Sequence, residues 1–168
     1  TIGTGAYPSA HGVFQNAWID RQPDALITCT QDTTVKGVPY GKPVPASESA
    51  KQLLIPTFAE EMHRQKGSHV VSLSLKARSA IMLAGHSGDA VTWLSDNLDG
   101  WTTSTAFTPA PVPEVGEYVA ANPIEADFGR TWDRLLPANR YSDPDDGLGE
   151  VAPFGWTSIF PHVLKGKP

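Results

Sequence analysis

The sequence predicts an α/β fold in which helices flank part of a larger sheet, and three neighbouring features support this. Residues 71–76 alternate between apolar and polar side chains, which is typical of a β-strand. Residues 78–84 are largely apolar and are followed by a glycine, as expected for a short buried helix. Upstream of the strand, Thr57 and Glu60 have the spacing of a capping box, which predicts a helix over residues 57–66. A helix that leads into a buried strand is half of a βαβ unit.

Lys76 and Arg78 lie where this strand ends and the following helix begins. In open α/β sheets, ligands bind beyond the carboxyl ends of the strands. A lysine supplies a point charge and an arginine supplies a planar fork of donors, so the pair suits an anion with several oxygens, such as phosphate. Two basic residues this close together are also common at a solvated sheet edge. The residues alone leave both interpretations open.

The composition is that of a globular protein, with 40% hydrophobic and 18% charged residues in a chain of 168. Eighteen acidic residues against 13 basic ones give a net charge of −5, which argues against nucleic acid as the main partner. The sequence contains no apolar run that approaches the about 20 residues of a membrane span. The single Cys29 excludes an internal disulfide and a cysteine-based zinc cluster, but it leaves the cellular compartment undecided.

The chain starts at Thr1 without a methionine or a signal peptide, and we expect from this that it is a piece of a larger protein. Residues 1–168 are predicted to form a single partial domain. Within it, residues 1–107 would be the sheet and helix segment that carries the phosphate-contacting residues. Residues 108–168 would be an irregular covering insert, because proline spacing enforces an extended connection at its start.

Weaker patterns predict the elements around the central segment. Residues 25–36 are predicted to form a strand, a polar turn and a second strand, and residues 37–46 a connector rich in proline and glycine. Residues 47–67 are predicted to be helical in two pieces, because a proline interrupts them. Phe58 and Met62 lie four positions apart in the second piece, so we expect both side chains to face the core.

The later part of the chain is predicted to be less regular. Residues 90–107 read as a β-hairpin around a polar turn, and residues 115–121 and 127–136 as two short helices. Residues 143–147 are acidic but lack the ligand spacing of an EF-hand, which favours a solvated loop. Residues 151–164 are aromatic and irregular, as expected of a covering loop.

Three further side chains are candidates for chemistry. His86 and Asp89 could be a metal pair or a general base with its orienting carboxylate, or they could bond to the backbone of a turn. Asn16 lies in a predicted loop and can donate an amide N–H to an anion. His11 could ligate a metal, although a lone histidine is usually structural.

Five stretches occur in one consistent order: GTGAYPSAHGVFQNAWIDR, SLSLKARSAIMLAGHSGDAVTW, TSTAF, and the W-x-x-L-L-P and F-P-H stretches. The most specific are H-G-x-x-x-N-x-W at residues 11–18 and S-L-K-x-R at residues 74–78. Together they resemble the PafA-like branch of bacterial alkaline phosphatases, within the alkaline phosphatase / nucleotide pyrophosphatase-phosphodiesterase superfamily. The resemblance covers nearly the whole chain. It implies part of an alkaline-phosphatase-like sheet flanked by helices, with an irregular cap insert that contains a β-hairpin.

The resemblance also implies a function. Such enzymes hydrolyse phosphate monoesters with a zinc-activated threonine, through a phosphothreonine intermediate. Asn16 would donate to a phosphoryl oxygen, while Lys76 and Arg78 would contact the phosphoryl group and stabilise the charged transition state. The implied ligand is a small-molecule phosphate ester, the implied cofactor is zinc, and the implied location is periplasmic or secreted.

The motifs of the nucleophile and of the zinc ligands do not match residues of this chain. The threonine is expected to precede Thr1, and the metal ligands are expected in the remainder of the same polypeptide. We therefore expect no metal ligand and no activity in these residues alone. Thr1 or Thr4 could be the nucleophile only if the motif alignment is shifted. A phosphodiesterase or nucleotide pyrophosphatase on the same scaffold, and a domain that only binds an anion or a partner, are the alternatives.

Overall fold

The computed structural model describes residues 2–22, 24–97, 100–149, 151–152 and 155–165. The chain divides into two compact units, Thr1–Ala121 and Asn122–Pro168. Each unit is described by itself below. The predicted boundary after residue 107 within one partial domain stays a prediction.

The first unit contains four α-helices and six strands among its described residues. In chain order they are α1 Pro8–His11, β1 Ala17–Asp20, β2 Ala25–Thr28, β3 Gly37–Pro39, α2 Phe58–Lys66, β4 Val71–Ser74, α3 Ala77–Ala84, β5 Ala90–Leu94, β6 Trp101–Ser104 and α4 Pro113–Ala121. Strands β1 and β2 form an antiparallel hairpin. The other four strands form a mixed sheet in the order β3-β6-β5-β4, in which only β4 and β5 run parallel.

The core of the first unit lies between α3 and the strands β4 and β5. Ala80, Ile81 and Ala84 of α3 are at most 1% exposed and join one cluster with Val91 and Trp93 of β5. This spacing puts the three helix residues on one face, which is the face that packs on the sheet. Burial of such an apolar face is the main stabilising term for a short helix.

The capping box at the start of α2 is formed as predicted. The Thr57 hydroxyl oxygen accepts the backbone N–H of Glu60 at 3.2 Å, and the Glu60 carboxylate accepts the backbone N–H of Thr57 at 2.8 Å. Thr57 is fully buried and its hydroxyl also donates to the carbonyl of Ala84 at 3.2 Å. The same side chain therefore starts α2 and ties it to the end of α3.

The second unit is built from short elements. Two turns of 3₁₀ helix, Ile124–Asp127 and Ala138–Arg140, accompany the strands β7 Thr131–Trp132 and β8 His162–Val163, which pair antiparallel. Aromatic rings of this unit pack together around the strands: Trp132, Trp156, Phe160 and His162. Across the described residues of both units, no helix is long and apolar enough to cross a membrane.

Several predicted elements are confirmed. The structure has helices at residues 58–66, 77–84 and 113–121, and the strand at 71–74 leads directly from one helix to the next. Strands β5 and β6 form the predicted hairpin over residues 90–107. The α/β fold class, with a sheet flanked by helices, is thus confirmed.

Other predicted elements are wrong. Residues 47–56 contain no helix. Their first residues bond to a neighbouring segment instead, because Asp32 donates its backbone N–H to the carbonyl of Ser47 and Gln31 forms a β-bridge with Glu48. A turn follows, in which Leu53 donates its backbone N–H to the carbonyl of Ala50. The second strand predicted within residues 25–36 lies later, at β3. The helix predicted over residues 127–136 is replaced by the strand β7, which pairs with a segment some thirty residues away.

Apolar side chains of β4 and α2 that were predicted to be buried are exposed in the structure. On β4, Val71 and Leu73 are 73% and 67% exposed, whereas the polar Ser72 faces α3 and donates its hydroxyl to the carbonyl of Ala80 at 2.8 Å. On α2, Phe58 is 72% exposed and Met62 is 37% exposed, so neither side chain is buried in the core as predicted. The apolar helix α3 covers the other face of β4, and within the described chain nothing covers this one.

Truncating the buried side chain of Thr57 should show how much the connection between α2 and α3 contributes to stability. We expect Thr57→Ala to lower the free energy of unfolding by about 1–2 kcal/mol, because a helix N-cap and a buried hydrogen bond are lost together. Urea unfolding of the complete protein measures the change. Thr33→Ala, which truncates an exposed threonine, is the control. An equal loss in both variants would contradict the role given to Thr57.

Candidate functional site

At the junction between β4 and α3, one basic residue lies on each side of a buried alanine. Lys76 is the N-cap residue of α3, with an extended backbone, and Arg78 is the second residue of the helix. Ala77 between them is 7% exposed and packs into the core, while both cationic side chains are exposed. Ser74 accepts the backbone N–H of Lys76 at 3.2 Å on its hydroxyl oxygen. The position predicted for the two cations is confirmed; their role stays a prediction.

Asn16 lies just before β1, on an exposed stretch of chain. Its backbone carbonyl accepts the backbone N–H of Cys29 at 2.9 Å. This bond extends the pairing of β1 and β2 by one step at the open end of the hairpin. Asn16 lines an open depression of about 560 Å³, together with Val13, Phe14, Gln15 and Ala17. Neither Lys76 nor Arg78 is among the described residues that line this depression.

The charge of Arg78 acts on Cys29, the residue whose backbone N–H bonds to Asn16. Burial raises the pKa of the Cys29 thiol, and the positive charge of Arg78 opposes this rise. The charge of Arg78 is therefore felt at Cys29, the residue that follows β2. Lys76 is connected differently: its ammonium lies 4.0 Å from the carboxylate of Asp96, at the end of β5.

Glu48 is a half-buried carboxylate that was not identified from the sequence. Burial raises the pKa of its carboxyl, a hydrogen bond from Thr30 opposes the rise, and the charges of Asp96 and Arg78 act on it in opposite directions. Asp96 is also the ion-pair partner of Lys76, at 4.0 Å. The sequence offers no local signal for the burial of Glu48, because residues 47–49 read as a helix start.

Asp32 holds the segment that carries Glu48. Its carboxylate accepts the hydroxyl of Ser49 at 2.7 Å and the hydroxyl of Thr34 at 2.6 Å, and it lies 3.5 Å from the ammonium of Lys51. Burial alone would raise the pKa of Asp32, but the hydrogen bonds from Thr34 and Ser49 and the nearby ammonium together outweigh it and lower the pKa from 3.8 to about 2. The ionised form of Asp32 is therefore the one that the fold stabilises.

His86 and Asp89 do not pair with each other. His86 places Nδ1 3.0 Å from the carboxylate of Glu60 and Nε2 2.8 Å from the carbonyl of Leu53. Asp89 accepts the backbone N–H of Val70 at 2.7 Å, and this bond is the largest cause of its lowered pKa. Both ring nitrogens of His86 are thus used, one by the carboxylate of Glu60 and one by the carbonyl of Leu53, and Asp89 does not orient the ring. These contacts support the interpretation of a turn whose side chains brace the surrounding structure.

The other metal candidates are also structural. His11 is buried and its Nδ1 accepts the backbone N–H of Val13 at 3.2 Å. In the acidic loop of the second unit, Asp145 accepts the backbone N–H of Phe160 at 2.7 Å. Within the described ranges, no group of three or more His, Cys, Asp or Glu side chains is placed to hold a metal ion. The residues described here therefore do not fit a zinc centre.

Sequence comparison finds relatives among alkaline phosphatases, although no protein-family model matches the chain. Alkaline phosphatase PafA of Elizabethkingia meningoseptica is 30% identical over 148 residues, which are 87% of this chain and 27% of that protein. Alkaline phosphatase PhoV of Synechococcus elongatus is 28% identical over 173 residues, which cover 98% of this chain and 31% of that protein.

Solved structures give the same result. The crystal structure of wild-type alkaline phosphatase PafA matches with a TM-score of 0.82 and 30% identity, over 96% of this chain and 32% of that one. A PafA variant in which a threonine, an asparagine, a lysine and an arginine are substituted matches with the same TM-score and 28% identity.

The fold of this chain, a mixed sheet flanked by helices, thus matches that of part of alkaline phosphatase PafA. The resemblance to PafA-like alkaline phosphatases that the motifs predict is confirmed by both the sequence relatives and the structural neighbours. The chain spans about three tenths of the length of these relatives.

The low pKa of Asp32 predicts a pH-dependent contribution to stability. Because the pKa is lower in the folded state, the contribution is fully present above pH 3.8 and is lost as the pH falls through about 2. Between about pH 5 and pH 2, the unfolding free energy of the wild type should therefore fall by about 2 kcal/mol more than that of Asp32→Asn. Urea unfolding at several pH values measures the difference.

Asp143→Asn, in an exposed loop of the second unit, is the control for this measurement. Its unfolding free energy should follow that of the wild type across the same pH range. If the unfolding free energies of the wild type and Asp32→Asn fall equally with pH, the lowered pKa of Asp32 would be contradicted.

Proposed function

We propose that the complete protein is an exported, zinc-dependent phosphatase that hydrolyses phosphate monoesters through a phosphothreonine intermediate. In this proposal Asn16, Lys76 and Arg78 contact the phosphoryl group. The observation that carries it is the junction of β4 and α3, where buried Ala77 anchors the backbone and leaves both neighbouring cations exposed.

The three side chains suit the charge distribution of phosphoryl transfer. Charge is spread over the equatorial oxygens in the transition state, and catalysis consists mostly of positioning and electrostatic stabilisation. Arg78 can donate two parallel hydrogen bonds to two oxygens, and Lys76 adds a point charge. Asn16 can donate from its amide to a third oxygen. The N-terminal end of α3 adds a partial positive charge at the same place.

The substituted PafA variant supports this set of residues. Its altered lysine and arginine stand two positions apart, as Lys76 and Arg78 do, and its altered asparagine precedes the lysine by some sixty residues, as Asn16 does. Residue types and spacing thus agree between a structure that matches this fold and the residues selected here.

Zinc and the threonine nucleophile are proposed to lie in the rest of the polypeptide. Bound zinc would supply Lewis-acid activation of the nucleophile and of the leaving oxygen. The described residues contribute no metal ligands to this proposal, since they form no candidate metal cluster. They would contribute the contacts to the phosphoryl oxygens. A periplasmic or secreted location is part of the same proposal.

A dianionic monoester should gain more from these contacts than a monoanionic diester. Both cations act on the same phosphoryl group, and the attraction between charges grows with the charge of the ligand. The proposal therefore includes a preference for monoesters over diesters. This preference distinguishes it from a phosphodiesterase on the same scaffold.

Removing the proposed contacts should lower the rate. We expect Lys76→Ala, Arg78→Ala and Asn16→Ala in the complete protein each to lower kcat/KM for p-nitrophenyl phosphate by about 100- to 1,000-fold, or about 3–4 kcal/mol of transition-state stabilisation. For Lys76→Ala and Arg78→Ala, the rate with bis(p-nitrophenyl) phosphate should fall less than the rate with p-nitrophenyl phosphate, because the diester carries one negative charge and the monoester carries two.

The control for these variants is Lys66→Ala, which removes a cation from the exposed end of α2. It should leave both rates unchanged. Unaltered monoester rates in the three site variants would refute the assignment, and an equal loss for monoester and diester would refute the stated preference.

Metal content provides a separate test. The complete protein should contain stoichiometric zinc by elemental analysis and lose its phosphatase activity on chelation. The 168-residue chain alone should bind no zinc and show no turnover of p-nitrophenyl phosphate, because its described residues form no metal centre. A complete protein free of stoichiometric metal would instead indicate a domain that only binds.

A further inference from the structure

The strand β4 lies at one end of the mixed sheet and carries an exposed apolar face. The strand order is β3-β6-β5-β4, so one edge of β4 pairs with β5, and the other edge is unpaired among the described residues. Val71 and Leu73 are 73% and 67% exposed, and Leu75, which continues their alternation past the end of the strand, is 63% exposed. These three side chains are called the apolar row of β4 below.

The cover over this face of the sheet ends between β5 and β4. Val71 pairs with Ala90 of β5, and Leu73 pairs with Thr92. Paired residues of neighbouring strands point to the same face of a sheet. Ala90 and Thr92 are nevertheless only 9% and 3% exposed, and the Thr92 hydroxyl donates to the hydroxyl of buried Tyr40 at 3.5 Å. The two faces of β5 are thus both covered, whereas β4 is covered by α3 alone.

The strand β4 also lacks the features that protect a natural edge strand. Such strands usually carry a charged residue, a proline or a β-bulge, because an unpaired row of backbone groups invites association. Val71–Ser74 has the sequence VSLS, and its four residues pair with β5 in one uninterrupted parallel register. Parallel strands occur mostly in sheets that are covered on both faces. The strand therefore has the character of an interior strand.

The relatives are long enough to supply the missing neighbours. The matched residues make up 27% and 31% of two alkaline phosphatases, and 32% of the PafA chain in its crystal structure. More than two thirds of each of these proteins therefore lies outside the part that this chain matches. A stretch of that length can supply a strand and a covering layer within one molecule.

We infer that β4 is an interior strand of the complete protein, where a strand from the rest of the same polypeptide pairs with its free edge and apolar side chains from that part cover Val71, Leu73 and Leu75. Removing this row from water is favourable, because burial of apolar area stabilises the folded state. Since Leu75 directly precedes Lys76, the covering part also borders the junction of β4 and α3. The three phosphate contacts of the proposed function are not needed for this pairing, so either can fail without the other.

The covered face is tested by the reactivity of a thiol in the complete protein. Leu73→Cys places a thiol in the apolar row, and Lys66→Cys places one at the exposed end of α2 as a control. Wild type supplies the background, in which Cys29 is buried. We expect a water-soluble maleimide to modify Leu73→Cys about 100-fold more slowly than Lys66→Cys in the folded protein, and at a similar rate in concentrated urea. Rates within about threefold of each other in the folded protein would overturn the inference.

The paired edge is tested by amide hydrogen exchange of the complete protein, measured by mass spectrometry on a peptide that contains residues 71–74. A strand with one free edge leaves about half of its backbone N–H groups without a partner, because successive groups point to opposite edges. We expect all the amides of β4 to exchange slowly. Rapid exchange of about half of them, at the rate of an unstructured peptide, would show a free edge and contradict the pairing.

A second copy of the protein is the competing occupant, and dilution distinguishes it. The slow modification of Leu73→Cys should not depend on protein concentration, since the covering part belongs to the same polypeptide. A rate that rises on dilution, together with dissociation to monomers by sedimentation, would assign the surface to a second copy and overturn the inference. If Leu73→Cys does not fold, Val71→Cys, which is at the other end of the same face, is measured against the same control with the same criteria.

Discussion

The packing of α3 against β4 and β5 is the constraint on which the candidate site depends. Ala80, Ile81 and Ala84 bury one face of the helix, and Ala77 extends that face to its first turn. Because Ala77 must point inward, the residues on either side of it must point elsewhere. The positions of Lys76 and Arg78 are therefore a consequence of core packing and need no separate device.

A second constraint is the pairing of the segments around Thr30 and Glu48. The segments around Thr30 and Glu48 are joined by a β-bridge and by the buried carboxylate of Asp32, which bonds to Ser49. This frame fixes the half-buried carboxylate of Glu48, while the ammonium of Lys76 lies 4.0 Å from the exposed carboxylate of Asp96. Lys76 is thus partly balanced by an exposed carboxylate. In such an arrangement affinity for an anion is set by several fixed charges and not by the cations alone.

Local signals were enough to predict the junction, whereas long-range pairing was not predictable. The capping box of Thr57 and Glu60 involves neighbours in sequence, so its pattern could be recognised directly. The bridge between Gln31 and Glu48 joins distant residues, and the spacing of polar residues near Glu48 mimics a helix start. The alternation in β4 predicted the strand correctly, but it could not tell which face the helix covers.

The central claim is that Asn16, Lys76 and Arg78 meet at one phosphoryl group. A crystal structure of the complete protein soaked with tungstate, a heavy tetrahedral anion, tests it most directly. The claim predicts strong density for the anion within about 3.5 Å of all three side-chain donors. Tungstate bound to the metal centre, with any of these three side chains directed away from it, would contradict the claim.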